Sequence, residues 1–135
     1  EIVYIKQMPD VDENSNQLRK EAYEYYCTSR GLCPNYGENR MAVISRDTRR
    51  SFDITDQIKL LSPRPYLAIA GAKALTFGLS KIAFERASEP KEFFEIEGAT
   101  HVGLYDKEEY VNPAIVKLTE FYKEKWNASG SNKGE

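Results

Sequence analysis

Hydrophobic and polar positions follow two different periods along the chain, and the change of period divides it. Ile2 to Ile5 is a short apolar, β-branched run that reads as a strand or an extended entry. Pro9, Asp10 and Asp12 break regularity there. Asn14-Ser15-Asn16 then offers side-chain oxygens to the free N–H groups of a helix start. From Gln17 to Cys27, the residues Leu18, Ala22, Tyr25 and Tyr26 recur three to four apart and so share one helical face. Gly31, Pro34 and Gly37 end that helix in a loop. A second helix is predicted over Asn39 to Arg50. A short third is predicted over Asp53 to Leu61, with the Asp53 carboxylate suited to its N-terminus. Ser62-Pro63-Arg64-Pro65 stops it.

The second half changes character. Tyr66-Leu67-Ala68-Ile69-Ala70-Gly71 is an almost unbroken apolar run between prolines and a glycine, the pattern of a parallel strand covered on both faces. Ser80 to Ala87 is predicted as a helix with Ile82, Ala83 and Phe84 inward. Pro90 breaks the chain, and Lys91 to Glu97, with Phe93, Phe94 and Ile96, is a second strand. Gly98-Ala99-Thr100-His101 forms a loop. Glu108 to Trp126 is a final amphipathic helix with Ala114, Ile115, Leu118, Phe121 and Tyr122 on its apolar side. The order strand, helix, strand, loop, helix is that of a parallel βαβα unit, so the fold class is α/β. The expected division is a helical segment over 1–50, an α/β core over 51–126 and a flexible tail over 127–135. Two strands make a meagre sheet, and an apolar strand expects neighbours on both edges.

His101 is the sole histidine in the sequence. It follows the last predicted strand inside Glu97-Gly98-Ala99-Thr100-His101-Val102-Gly103, and reacting groups of open α/β sheets gather at the carboxyl ends of strands. Spacing alone leaves two readings open, a general base or an ordinary surface histidine.

Three stretches carry a resemblance. Leu61 to Gly71 looks like the strand that leads to the triad acid in α/β-hydrolases of the dienelactone-hydrolase-like, X-Pro-peptidase-related group. Pro90 to Asp106 resembles that group's final strand and catalytic-histidine loop. Glu21-Ala22-Tyr23-Glu24-Tyr25-Tyr26, Ser29-Arg30-Gly31 and Asn39-Arg40 are similar to its helical cap. The likeness runs from about residue 1 to 126. It implies the C-terminal part of a serine-hydrolase fold acting on ester or acyl bonds, preceded by a helical cap segment, with His101 as general base. No Gly-x-Ser-x-Gly elbow occurs in the chain, and the family's order of serine, acid, histidine puts the nucleophile upstream of residue 1. The family pattern Gly-Ser-x-Ala-Asp-Thr reads here Gly71-Ala72-Lys73-Ala74-Leu75-Thr76, so Leu75 stands at the acid position. A leucine cannot accept the imidazole N–H; loss of that carboxylate costs about 10⁴-fold in the serine proteases. Asp106, five residues past His101, is the candidate substitute. Lys73 reads as a solvated lysine. The chain is accordingly expected to be inactive alone. The alternative is a truncated or degenerate, non-catalytic relative that serves as a binding or interaction module.

Composition adds exclusions. The net charge of -2 and pI near 5.6 argue against nucleic acid or an anionic membrane as partner. Arg46, Arg49 and Arg50 are the densest basic cluster and read as a solvated helix face. Cys27 and Cys33 are close enough for a disulfide, but read as reduced thiols, and Cys27 is at the wrong helix end for a reactive thiolate. With one histidine and two cysteines no zinc set is completed, so no metal or cofactor is expected. No apolar stretch approaches the ~18 residues of a membrane span and no signal peptide opens the chain, which points to the cytoplasm. A start at Glu1 suggests a fragment, a processed product or a trimmed chain. The expected partners are the missing N-terminal half of the fold or a partner chain, self-association into a homo-oligomer, and a small-molecule acyl substrate. Tyr23, Tyr25, Tyr26 and Tyr36 read as packing residues of the cap.

Overall fold

A computed structural model describes residues 2–8, 10–32 and 40–130, with side chains described up to residue 125. It forms two compact units, Glu1–Ile54 and Thr55–Glu135. Cys33, Pro34, Tyr36, Gly37 and Asn39 lie outside the described residues, as does the end of the tail, so the Cys27–Cys33 pairing does too.

The first unit is built on a short antiparallel ribbon. Strand β1 (Tyr4–Lys6) pairs with β2 (Arg40–Ala42), Ile5 opposite Met41. The Arg40 guanidinium lies 4.7 Å over the Tyr4 ring, a cation–π contact. Helix α1 (Gln17–Cys27) begins where the cap residues predict. The Asn16 side chain accepts from the Arg19 N–H at 2.9 Å, and Asp12 and Ser15 bond each other in the turn ahead. The Ser15 hydroxyl holds the Asp12 carboxyl below its ordinary range. Tyr25 and Tyr26 meet edge to face at 5.0 Å. The helix expected from Asn39 to Arg50 is corrected: residues 40–42 are strand, and α2 covers Val43–Ser51. Arg40-Met41-Ala42 satisfies its backbone on β1, and a helix starts only after that pairing ends.

The second unit carries the parallel pair. Residues 55–57 form a turn and only Ile58–Leu61 is helical, as one turn of 3₁₀, in place of the helix expected over Asp53–Leu61. Strand β3 (Tyr66–Gly71) pairs in parallel with β4 (Lys91–Ile96), from Tyr66 opposite Lys91 to Gly71 opposite Ile96. Helix α3 (Phe77–Arg86) makes the crossover, starting three residues earlier than its pattern suggests. A one-turn helix α4 (Gly103–Asp106) was not legible in the sequence. The last helix, α5 (Glu108–Gly130), runs past the expected end at Trp126.

The layers follow from side-chain alternation on β4. Phe93 packs edge to face against Phe77 and Phe84 of α3 at 5.8 and 5.4 Å, while its neighbour Glu92 pairs with Lys117 of α5. Successive strand residues point to opposite faces, so α3 and α5 cover opposite faces of the sheet. The core is Ala68, Ala70, Ala74, Ala87, Ile96, Ala99, Val102 and Phe121. The Lys91 ammonium donates to the carbonyls of Phe84, Glu85 and Ala87 and thereby closes the C-terminal turn of α3.

The apolar faces predicted for the helices are partly wrong. Ile82 of α3 is exposed, with Phe77 and Phe84 taking the inner positions. On α5 the inner row is Val111, Ala114, Lys117 and Phe121, while Ile115, Leu118 and Tyr122 face outward. Lys117 lies on the inner row, where its ammonium pairs with Glu92 of β4. Among the described residues β3 has a strand on one edge only.

Candidate functional site

The sheet's carboxyl-end rim holds the candidate site, and small residues make it. β3 ends at Gly71 and β4 at Ile96. The loops that leave them are laced together: Ala72 N–H donates to the Ile96 carbonyl at 3.0 Å and Lys73 N–H to the Ala99 carbonyl at 2.9 Å. Gly71 permits this approach, since a Cβ there would lie 2.3 Å from the Ala99 oxygen. Gly98 turns the chain at φ 73°, in the left-handed region that favours glycine. Ala99 and Val102 are fully buried, and the Thr100 hydroxyl accepts from Gly103 N–H at 3.0 Å where α4 begins. His101 is thus anchored on both sides.

The ring is half-buried and both nitrogens are engaged. Nδ1 lies 2.8 Å from Thr76 Oγ1, and Nε2 lies 3.0 Å from the Tyr105 hydroxyl. Each nitrogen is an N–H donor or an acceptor according to the tautomer. The Tyr105 ring also meets the imidazole edge to face at 5.5 Å. Leu75 is 63% exposed and turned to solvent, so its neighbour Thr76 meets the ring. Asp106 is exposed at the end of α4, and Lys73 is exposed on the β3–α3 turn. Both neutral hydroxyls escaped the sequence reading. The signals available for them were the place of Thr76 at the start of a helix and the spacing of Tyr105, four residues past His101.

Elsewhere, Arg46, Arg49 and Arg50 line a shallow depression of about 280 Å³ with Met41 on the first unit. Cys27 is half-buried at the end of α1. No helix among the described residues is long and apolar enough to cross a membrane, and no cluster of metal-ligating side chains occurs among them.

No family model matches the chain. It is 37% identical over 94 residues to the uncharacterized protein PA2218 of Pseudomonas aeruginosa, covering 67% of this chain and 25% of that protein. It is 31% identical over 127 residues to the uncharacterized protein YcjY of Escherichia coli K12, covering 91% of this chain and 40% of that protein. The crystal structure of the hypothetical protein PA2218 superposes with a TM-score of 0.80 at 29% sequence identity, over 91% of this chain and 38% of that one. The chain therefore spans a quarter to two-fifths of the length of the curated relatives it matches. The α/β arrangement with a parallel strand pair is common ground between this chain and that crystal structure.

Proposed function

We propose that this chain is the histidine-bearing, C-terminal part of an α/β-hydrolase fold, and that His101 is its general base in hydrolysis of an ester or related acyl bond. The observation that carries the reading is the ring's position: an imidazole fixed on the loop after β4, beside the turn that leaves β3. Reacting groups of parallel sheets collect at that rim. There Nε2 would take the proton of a hydroxyl nucleophile and return it to the leaving group. The reading requires a serine from outside these 135 residues, in the rest of a longer protein or in a partner chain, and a small-molecule acyl substrate bound against both parts. Residence in the cytoplasm belongs to the same reading and is checked by cell fractionation.

The test is p-nitrophenyl acetate hydrolysis by the protein encoded in the chain's complete reading frame. His101→Ala is expected to lower kcat by roughly 10²-fold, the part of a triad base's effect that is left when the carboxylate's share of about 10⁴ is already missing. Absence of turnover in the unaltered protein, or its survival in His101→Ala, overturns the reading.

A second reading, a degenerate relative that binds without turnover, is favoured by one observation: among the described residues the partner of Nδ1 is a hydroxyl, that of Thr76, and not a carboxylate. Leu75→Asp in the whole protein tests whether residue 75 is the place of a lost acid. A gain in ester turnover supports the catalytic reading, with residue 75 as a site for the acid. No gain means that Leu75 is not a lost acid.

A further inference from the structure

We propose that Thr76 is the positioning residue for His101, its hydroxyl accepting Nδ1–H and so presenting Nε2 as the basic nitrogen; the role in catalysis rests on the hydrolase reading above.

Thr76 stands at the N-cap of α3, where a threonine hydroxyl ordinarily accepts an N–H of its own first turn. Here it caps nothing in α3. Its oxygen lies instead 2.8 Å from Nδ1 of a residue 25 positions away. The backbone beneath it is tied down: Phe77 N–H donates to the Ala74 carbonyl, and the Thr76 carbonyl accepts from Leu79 and Ser80. Ala74 is buried and Leu75 exposed, so the turn aims residue 76 at the ring. The imidazole is as well fixed from its own side, through buried Ala99 and Val102 and the bond from Gly103 N–H to the Thr100 hydroxyl.

Which ring nitrogen carries the proton is decided by what the other one bonds. With Nδ1–H donated to Thr76, Nε2 offers its lone pair, and the Tyr105 hydroxyl at 3.0 Å donates to it. A nucleophile's hydroxyl would replace Tyr105 there. On proton transfer the proton moves from that hydroxyl to Nε2, the ring becomes imidazolium, and Nδ1–H stays on Thr76. A hydroxyl that accepts Nδ1–H holds the ring as a carboxylate would, but unlike a carboxylate it can also donate, and it brings no opposite charge to the imidazolium. The Thr76 arrangement therefore keeps the geometry of a triad without its electrostatic part.

The chain has one histidine, so its ¹⁵N-labelled imidazole gives a single set of resonances. Long-range ¹H–¹⁵N correlation at a pH where the ring is neutral should show the Nδ1–H form in majority. Thr76→Val should reverse it to the Nε2–H form, Thr76→Ser should keep it, and Tyr105→Phe should keep it too. An unaltered chain already in the Nε2–H form overturns the proposal, with no need of a variant. So does a Thr76→Val chain that keeps Nδ1–H, or reversal by Tyr105→Phe, which would make Tyr105 the anchor. The measurement uses no substrate. If the tautomers behave as stated and ester turnover is absent, the hydrolase reading fails and the Thr76 anchor stands.

Discussion

Gly71→Ala tests whether the two loops at the rim are locked together as the site requires. The added Cβ would lie 2.3 Å from the Ala99 carbonyl oxygen, 2.7 Å from its carbon and 2.9 Å from its Cβ. Ordinary contacts sit near ~3.5–4.0 Å, so the strands' ends must part by about 1 Å. No rotamer relieves this, because two of the three atoms are backbone and Ala99 is fully buried. Overpacking of this kind costs about 1–3 kcal/mol. Weakening the bond from Lys73 N–H to the Ala99 carbonyl costs about 1 kcal/mol more. Restricting the unfolded chain returns about 0.4–1 kcal/mol. The net is a loss of roughly 1–3.5 kcal/mol, or a fall in Tm of roughly 4–28 °C for a unit of this size. Thermal unfolding by circular dichroism measures it. Gly78→Ala is the matched control: it lies inside α3 with nothing within 4 Å of the new methyl, and should stabilise by roughly 0.5–1 kcal/mol. A Gly71→Ala chain that melts at or above the unaltered one refutes the account of the rim.

Asn16→Ala removes the acceptor for Arg19 N–H and should cost about 1 kcal/mol, read as lost helix signal and a lower urea midpoint. Lys91→Met leaves three carbonyls at the end of α3 without their ammonium; a loss of about 1–3 kcal/mol in urea titration is expected. Burial raises the Tyr66 phenol above its ordinary value of 10.0. The folded state therefore holds its proton longer than the unfolded one, so stability is full below pH 10 and falls as pH rises through the folded value. Tyr66→Phe should flatten that alkaline decline in denaturant midpoints. Leu79 of α3 and Ile115, Val116 and Tyr122 of α5 remain largely exposed, and among the described residues β3 is paired on one edge only, so the chain alone should self-associate; a monodisperse monomer by light scattering is the contrary result.

The parts that the sequence made legible are those decided within a few residues. The Asn16 cap, the end of α1 at Cys27, and the Tyr66–Gly71 strand each depend on neighbours in the chain, and each lies where its pattern predicts. The parts that were not legible are decided across it. Arg40-Met41-Ala42 is too short to show a period, and is a strand only because Tyr4–Lys6 lies alongside. Ile115, Leu118 and Tyr122 form a good helical stripe, yet the adjacent row, with Phe121 buried and Lys117 paired to Glu92 of β4, is the one that faces the sheet. A two-stranded sheet is too narrow to cover all the apolar faces of both helices, so periodicity overstates what is buried.

The same contrast governs the site. His101 could be placed at a strand's carboxyl end from the chain alone, because Gly98 and the apolar run before it mark that end. Its partner could not, because the turn from Gly71 to Thr76 alternates in a way that composition does not reveal. Ala74 goes in, Leu75 goes out, and Thr76 meets the ring. The resemblance to the hydrolase pattern leads one to expect the acid at Leu75. The geometry moves attention one residue on, to a hydroxyl that gave up its own helix cap. Orientation of an imidazole and compensation of its charge are separate tasks, and only the first is served by the contacts seen here. In the proposed role, any stabilisation of an imidazolium at His101 must come from groups other than Thr76 and Tyr105, whose hydroxyls carry no opposite charge.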